Sequence, residues 1–158
     1  MYQAEAPVAL AATPGPIGGA ALRVLGRDVA LAGWDAAMPQ LIEAICRLRE
    51  DGVEAAVLDL HWLSPLSDAA LSDTVMSCQD RAVVVHDANL TGRFDAEVAA
   101  RLHERHGPEA IRVFRVTNPY IRVPAAPSPR WALLRDAAAT IRAARALASA
   151  RQLQADPA

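Results

Sequence analysis

A β-branched run that leads through a polar loop into an amphipathic helix constrains the fold of this chain most. The run Ala82–Val85 is apolar at every position, which predicts a strand covered on both faces. Phe94, Val98 and Leu102 recur every four residues, which places them on one face of a helix over 94–106. A buried strand followed at once by a helix is typical of a sheet that packs helices on its faces.

The rest of the chain repeats this alternation. Apolar periodicity and turn residues predict strands over 20–25, 28–33, 54–60, 81–86 and 111–117, and helices over 39–50, 68–78, 94–106 and 130–153. Strands that alternate with helices predict a parallel sheet with helices on both faces. Gly26 and Arg27, between the first two strands, indicate a two-residue hairpin turn.

Three local expectations concern the helices. The inward face of the helix over 39–50 is predicted to consist of Leu41, Ile42, Ile45 and Leu48. Ser67 and Asp68 are expected to cap the next helix, because their side chains accept hydrogen bonds from free backbone N–H groups. Cys46 and Cys78 both fall in predicted helices, and we expect them to be reduced, buried thiols.

The length and composition indicate a single domain. A chain of 158 residues, 53% hydrophobic and 22% charged, has the size and balance of one globular domain. We assign residues 20–153 to this domain, 1–19 to a flexible N-terminal arm rich in Ala, Pro and Gly, and 154–158 to a tail. The net charge of −2 gives no general attraction to nucleic acid. The sequence shows no secretory signal, and it lacks a run of the ~18 apolar residues that a membrane span needs. We therefore expect a cytoplasmic protein that binds neither nucleic acid nor membranes.

Three segments resemble one known family. They are P-I-G-G-A-A-L-R-V-L-G-R-D-V-A-L-A-G at 16–33, G-V-E-A-A-V-L-D-L-H-W-L-S-P-L at 52–66 and V-V-V-H-D-A-N-L-T-G-R-F-D-A-E-V-A-A-R-L at 83–102, with a weaker echo in R-V-T-N-P at 115–119. In their order and spacing they resemble the transketolase C-terminal domain. The nearest branch is the beta subunit of the thiamine-diphosphate-dependent 2-oxoacid dehydrogenases of the pyruvate and branched-chain type. The resemblance covers residues 16–124.

This resemblance implies a particular sheet. It is a three-layer α/β/α fold with a five-stranded, mostly parallel sheet in the order 1-3-2-4-5, in which the first strand is an antiparallel edge strand. In that order the chain changes direction between the second and fourth strands, and a crevice is expected at their carboxyl ends. Trp34 and Asp35 would line one side of this crevice, and His86 and Asp87 the other.

The resemblance also bears on the cofactor. The family enzymes hold thiamine diphosphate with two other domains, one for the diphosphate and its metal and one for the pyrimidine ring. The diphosphate signature, G-D-G followed by paired Asn, is absent from this sequence, and no segment supplies the acidic residue that activates the pyrimidine. We therefore expect no catalytic, cofactor-binding or metal-binding residues, and no cofactor bound by this chain alone. Thiamine diphosphate and Mg²⁺ would belong to the complete complex.

The crevice residues allow two interpretations. His86 beside Asp87 is a plausible acid–base pair. Adjacent residues that leave a strand point opposite ways, however, which favours a structural or interface role. The relatives carry Glu where Asp87 stands and Arg where His61 stands, so both positions depart from the family. Trp34 departs as well, from small or polar residues, and is expected to pack.

Other residues complete the set of candidates. His103 and His106 lie three apart in a helix, but a metal site needs three or four ligands, and no further cluster completes one. The residues expected at the crevice or at an interface are Trp34, Asp35, His61, His86, Asp87, Asn89, Leu90, Arg93, Asn118, Tyr120 and Ile121. Among them, Leu90, Tyr120 and Ile121 are the expected apolar contacts with a partner.

Three functions follow from these observations. The first is a subunit of a split thiamine-diphosphate enzyme that is not catalytic alone and braces its assembly. Its partners would be the cofactor-binding subunits, an acyltransferase core, or a second copy in a homodimer. The second is a binding or regulatory protein that kept the fold, which the departures at Trp34, His61 and Asn118 favour. The third is a small enzyme that uses the crevice at His86, although the sequence offers no convincing nucleophile for it.

Overall fold

The computed structural model describes residues 17–89, 93–118 and 137–149. These ranges contain five strands, four α-helices and a short 3₁₀ turn at Asp35–Ala37. In chain order the elements are β1 (Ala21–Val24), β2 (Val29–Gly33), α1 (Met38–Glu50), β3 (Ala55–Asp59), α2 (Asp68–Ser77), β4 (Arg81–Asn89), α3 (Phe94–His106), β5 (Arg112–Asn118) and α4 (Ala137–Ser149). Each of these strands and α-helices was predicted, and the main differences are small shifts at their ends.

The sheet has the strand order β1-β3-β2-β4-β5. β1 runs antiparallel to β3, and the other neighbouring strands are parallel. β2 and β3 are buried along their whole length, as expected of parallel strands with helices on both faces. The three-layer α/β/α fold with one antiparallel edge strand is therefore confirmed.

Alternate residues of β2 contribute to two separate apolar cores. Val29 and Leu31 belong to the core that α1 and α4 cover, with Leu41, Ile45, Leu48, Ile141 and Leu147. Ala30 and Ala32 belong to the core that α2 and α3 cover, with Leu71, Val75, Val98 and Leu102. Because helices cover both faces, the ends of the strands and the two edge strands are where this sheet can meet other molecules.

The hairpin predicted at Gly26 and Arg27 is wrong. β3 lies between β1 and β2, so the chain passes the beginning of β3 on its way from one to the other. The backbone N–H groups of Arg27 and Asp28 donate to the Glu54 carbonyl oxygen at 2.8 and 2.9 Å. A Cβ atom at Gly26 would lie 2.2 Å from the Ala55 carbonyl carbon. Glycine is therefore required by this close crossing rather than by a tight turn.

Three predictions about the helices also need correction. Ile42 is 46% exposed, and Ala44 takes its place in the buried face of α1. Ser67 is the N-cap residue of α2, but its side chain makes no capping hydrogen bond. Cys46 is exposed on α1, whereas Cys78 is buried as predicted. Burial raises the pKa of the Cys78 thiol, because the thiolate would lose its hydration.

Several predictions fall outside the described ranges. They concern most of the arm 1–19, the tail 154–158 and both ends of the helix predicted over 130–153. They also concern Leu90, Tyr120 and Ile121, and the side chains of Asn89 and Asn118. For these residues the expectations remain predictions.

Candidate functional site

The predicted crevice, at the carboxyl ends of β2 and β4, is filled by an aromatic side chain. Gly33, the last residue of β2, pairs in register with Val85 of β4, so Trp34, which follows β2, comes to lie beside His86, which is still within β4. Their ring centroids are 4.4 Å apart. Phe94, the first residue of α3, meets Trp34 edge-on at 5.9 Å. Trp34 is only 8% exposed, so its side chain occupies the place where an open α/β sheet binds ligands.

A completely buried carboxylate lies next to this aromatic cluster. Asp95 Oδ1 is 3.1 Å from His86 Nδ1, and Asp95 Oδ2 is 3.1 Å from Arg115 Nε. The contact with Arg115 is an ion pair without the alignment of a hydrogen bond. Asp95 belongs to the first turn of α3, where the partial positive charge of the helix end favours a carboxylate. One carboxylate thus joins side chains from β4, α3 and β5.

This arrangement positions the His86 ring. Because an ionised carboxylate only accepts hydrogen bonds, His86 donates to Asp95 through Nδ1, and a neutral imidazole then keeps Nε2 as an acceptor. Such an oriented imidazole can in principle accept a proton. The contacts described for the ring include the Asp95 carboxylate and the Trp34 indole. The contact with Asp95 links β4 to α3.

The other predicted crevice residues lie around the same edge of the sheet. Asp35 is exposed and begins the 3₁₀ turn with a φ of 48°. Asp87 is partly buried near the end of β4. Arg93 is exposed at the N-cap position of α3 and makes no capping hydrogen bond. Asn89 and Asn118 are register partners at the ends of β4 and β5. Their role as crevice or interface residues stays a prediction.

His61 belongs to a second polar cluster at the end of β3. Arg23 of β1 donates to Asp59 Oδ2 from Nε at 3.1 Å and from Nη2 at 2.9 Å. His61 Nε2 lies 2.9 Å from the same oxygen and 2.8 Å from Arg23 Nη2. Asp59 therefore accepts hydrogen bonds from β1 and lies within hydrogen-bond distance of the loop that follows β3. Because β2 separates β3 from β4, this cluster is distinct from the one at His86.

Comparison with known proteins identifies the family. Residues 18–139 match the family described as Transketolase, C-terminal domain. The chain belongs to the transketolase C-terminal domain family. The match covers most of the chain, and it includes the strand ends at which Trp34, His86 and Asp95 meet.

Similar proteins include subunits of a dehydrogenase and of an oxidoreductase, and both are much longer. The chain is 32% identical over 80 residues to the 2-oxoisovalerate dehydrogenase subunit beta 2, mitochondrial, of Arabidopsis thaliana. The aligned region covers 51% of this chain and 22% of that protein. It is 31% identical over 114 residues to the acetoin:2,6-dichlorophenolindophenol oxidoreductase subunit beta of Bacillus subtilis, with 71% of this chain and 33% of that protein covered. The matched region therefore spans 22% to 33% of the length of these relatives.

A similar fold is found in a solved structure, the split gene transketolase, inactive beta4 tetramer. The TM-score is 0.73 at 19% identity, and the similarity covers 87% of this chain and 44% of that one. At this identity the likeness shows the transketolase C-terminal fold alone, and it agrees with the strand order described above.

Sequence reasoning missed two residues of this transketolase C-terminal domain. Asp95 is the carboxylate found at the His86 ring, nine residues further along the chain, and Arg115 is its second partner. A signal for Asp95 was present, because an acidic residue in the first turn of a helix that follows a strand lies near the end of that strand. No comparable signal existed for Arg115, since the expected strand order places β5 beside β4 but does not tell which of its side chains reaches Asp95.

The remaining polar groups form no metal site in the described ranges. Among those residues there is no group of three or more His, Cys, Asp or Glu side chains that could hold a metal ion. His106 Nε2 lies 3.0 Å from Ser72 Oγ, and this contact joins α3 to α2. His103 lines a shallow groove of about 370 Å³ at the opposite end of the sheet. No helix of the described ranges is long and apolar enough to cross a membrane.

Proposed function

We propose that this chain is a stand-alone C-terminal-domain subunit of a split thiamine-diphosphate enzyme, of the 2-oxoacid dehydrogenase or transketolase type, and that it braces the assembly with the cofactor-binding subunits. The observation that carries the proposal is the filled crevice. Trp34 is packed between His86 and Phe94 where an open α/β sheet binds its ligand. The family membership and the similarity to beta subunits of longer enzymes support it.

The charged residues of the site also suit a bracing role. Asp95 is 0% exposed and is held by one contact from β4 and one from β5. A buried carboxylate that is already paired offers no free ligand position, and it fixes the relative positions of three elements. Side chains fixed in this way present a constant surface to a partner, which lowers the cost of ordering on association.

In our proposal this chain does not itself hold thiamine diphosphate and its metal. Binding would need ligands for a divalent cation and space for two rings. The described part of the chain has no cluster of metal ligands, and Trp34 occupies the crevice. In our proposal the diphosphate and pyrimidine domains of partner subunits hold the cofactor and Mg²⁺. An acyltransferase core or a second copy of the chain are further partners, and we place the complex in the cytoplasm.

Calorimetry and reconstitution test the proposal. The isolated chain, titrated with thiamine diphosphate and Mg²⁺, should release no binding heat. A mixture with a chain that carries the two cofactor-binding domains should form a complex and show 2-oxoacid dehydrogenase or transketolase activity that neither chain has alone. Micromolar affinity of the isolated chain for the cofactor would contradict the proposal.

A second candidate function is a binding or regulatory protein that kept the fold without catalysis. The observation that favours it is the pair of departures at Trp34 and His61, since both residues are engaged in contacts within the domain. Co-purification from the native host distinguishes the two functions. A complex with cofactor-binding chains supports the first, and a complex that lacks them supports the second.

A further inference from the structure

The exposed apolar side chains of the described residues are concentrated along one edge of the sheet. Ile17 and Leu25 flank β1 and are 78% and 82% exposed, and Leu22 within β1 is 48% exposed. Trp62, in the loop that follows β3, is 38% exposed. We call these four residues the β1 strip. The other large exposed hydrophobic residues lie singly on α1, α2 and β5.

Contacts between β1 and the loop after β3 hold the strip together. A Cβ atom at Gly18 would lie 3.1 Å from the Pro65 ring, so the residues before β1 run against this loop. The Arg23 side chain reaches both Asp59 and His61, the neighbour of Trp62. Among the described residues, β1 pairs only with β3, so its outer edge is open to another molecule.

The charges near the strip are balanced within the domain. Arg23 pairs with Asp59 at 2.9 Å, and Arg27, just beyond Leu25, pairs with Glu54 at 2.9 Å. Because both ion pairs are formed within the domain, neither requires an opposite charge on a partner. The strip therefore suits an apolar partner surface with few charges, which is typical of the central part of a stable interface.

The position of the strip in the fold indicates what covers it. The family match begins at residue 18, beside Ile17, and the family is by its description a C-terminal domain. The relatives are much longer than the matched region, because it covers 22% to 33% of their length. In those relatives the preceding part of the chain therefore enters this domain at β1, next to the loop that carries Trp62.

We infer that the β1 strip is the surface that docks the separate chain carrying the domains that precede this one in the longer relatives. This inference rests on the proposed function. In the relatives a covalent connection holds the preceding domain at this edge, and in a split enzyme the apolar contact has to replace it. The occupant is an apolar face of that chain, packed along β1 and against Trp62.

Substitution of the strip tests this inference. The double variant Leu22→Ser and Leu25→Ser removes two exposed side chains that contribute little to the core. Its affinity for the partner chain, measured by calorimetry with both full chains, should fall by about tenfold or more. The matched control is Ile42→Ser with Met76→Ser, because these residues are similarly exposed at 46% and 54% but lie on α1 and α2. The control should retain the wild-type affinity, and both variants should keep the wild-type melting temperature.

Hydrogen exchange gives a second readout that needs no substitution. The backbone amides of residues 21–25 should become protected when the partner chain is added, whereas those on the exposed side of α1 should not change. If the wild type binds and the double variant binds equally well, the strip is not the docking surface, although the proposed function stands. If the wild-type chain does not bind a chain with the preceding domains, the proposed function fails, and the docking inference fails with it.

Discussion

Removing the charges around Asp95 should destabilise the domain in a definite order. Asp95→Ala removes a completely buried carboxylate but leaves Arg115, whose side chain is 27% exposed, able to reach water. The variant loses the hydrogen bond, the ion pair and the favourable interaction of the carboxylate with the start of α3. Together these losses should lower the free energy of unfolding by about 2–4 kcal/mol. Arg115→Leu instead leaves the buried carboxylate with His86 alone, and the cost of an uncompensated buried charge is about 3–5 kcal/mol. Arg115→Leu should therefore be the more harmful change.

Urea unfolding followed by far-ultraviolet circular dichroism measures this order. At an ordinary slope, the midpoint should fall by about 1–2 M for either variant. The combination of Asp95→Ala with Arg115→Leu should be more stable than Arg115→Leu alone, because it removes the unpaired carboxylate. Glu97→Ala is the control, because Glu97 is an exposed carboxylate in the same turn of α3. Its ion pair with Arg101 lies at the surface, so the midpoint should not change measurably. A milder effect for Arg115→Leu than for Asp95→Ala would refute the reasoning that the buried carboxylate requires Arg115.

Three further predictions use simpler measurements. Val84→Asp should abolish cooperative folding, because Val84 is 0% exposed in a central strand. A buried unpaired carboxylate costs several kcal/mol, against a total stability of about 5–15 kcal/mol for a domain. A soluble variant with an unchanged melting temperature would mean that this strand is misplaced. At pH 8 a thiol reagent should label Cys46 in the native protein, but Cys78 only after unfolding. Burial excludes the reagent from Cys78 and raises the pKa of its thiol. Rapid labelling of both cysteines in the native state would contradict this prediction. Replacing Leu90 and Tyr120 with Ser should weaken self-association in light scattering without unfolding the sheet, and a wild type that is strictly monomeric at high concentration and ignores partner chains would remove the basis of this prediction.

Local sequence patterns predicted the elements of this domain well, and failed where the answer depends on neighbours in space. The helix predicted over 94–106 has the bounds found for α3, because its apolar spacing and the flanking glycine act within the segment itself. The strand order required the family resemblance, since periodicity does not tell which strands pair. Gly26 was misinterpreted for the same reason, because a close backbone crossing and a turn both favour glycine.

The candidate site was predicted in place but not in its contacts. Trp34 and His86 were expected on opposite sides of one crevice, and they do meet there. The carboxylate observed at His86, however, comes from α3 rather than from the neighbouring position in the sequence. Ile42 illustrates a similar limit on a helix, since an apolar side chain at the border of the stripe can face either way, and the small Ala44 fits the space instead.

The filled crevice also has a mechanical consequence. An open sheet with a void between two strand ends can deform when a ligand draws its sides together, and hinge closure of this kind depends on space to close. Here the indole of Trp34 occupies that space, and the Asp95 carboxylate ties the adjoining helix and strands to one another. Close-packed interiors have low compressibility and transmit strain. A push or pull applied at one edge of this sheet should therefore be passed to the opposite edge as a displacement of the whole block.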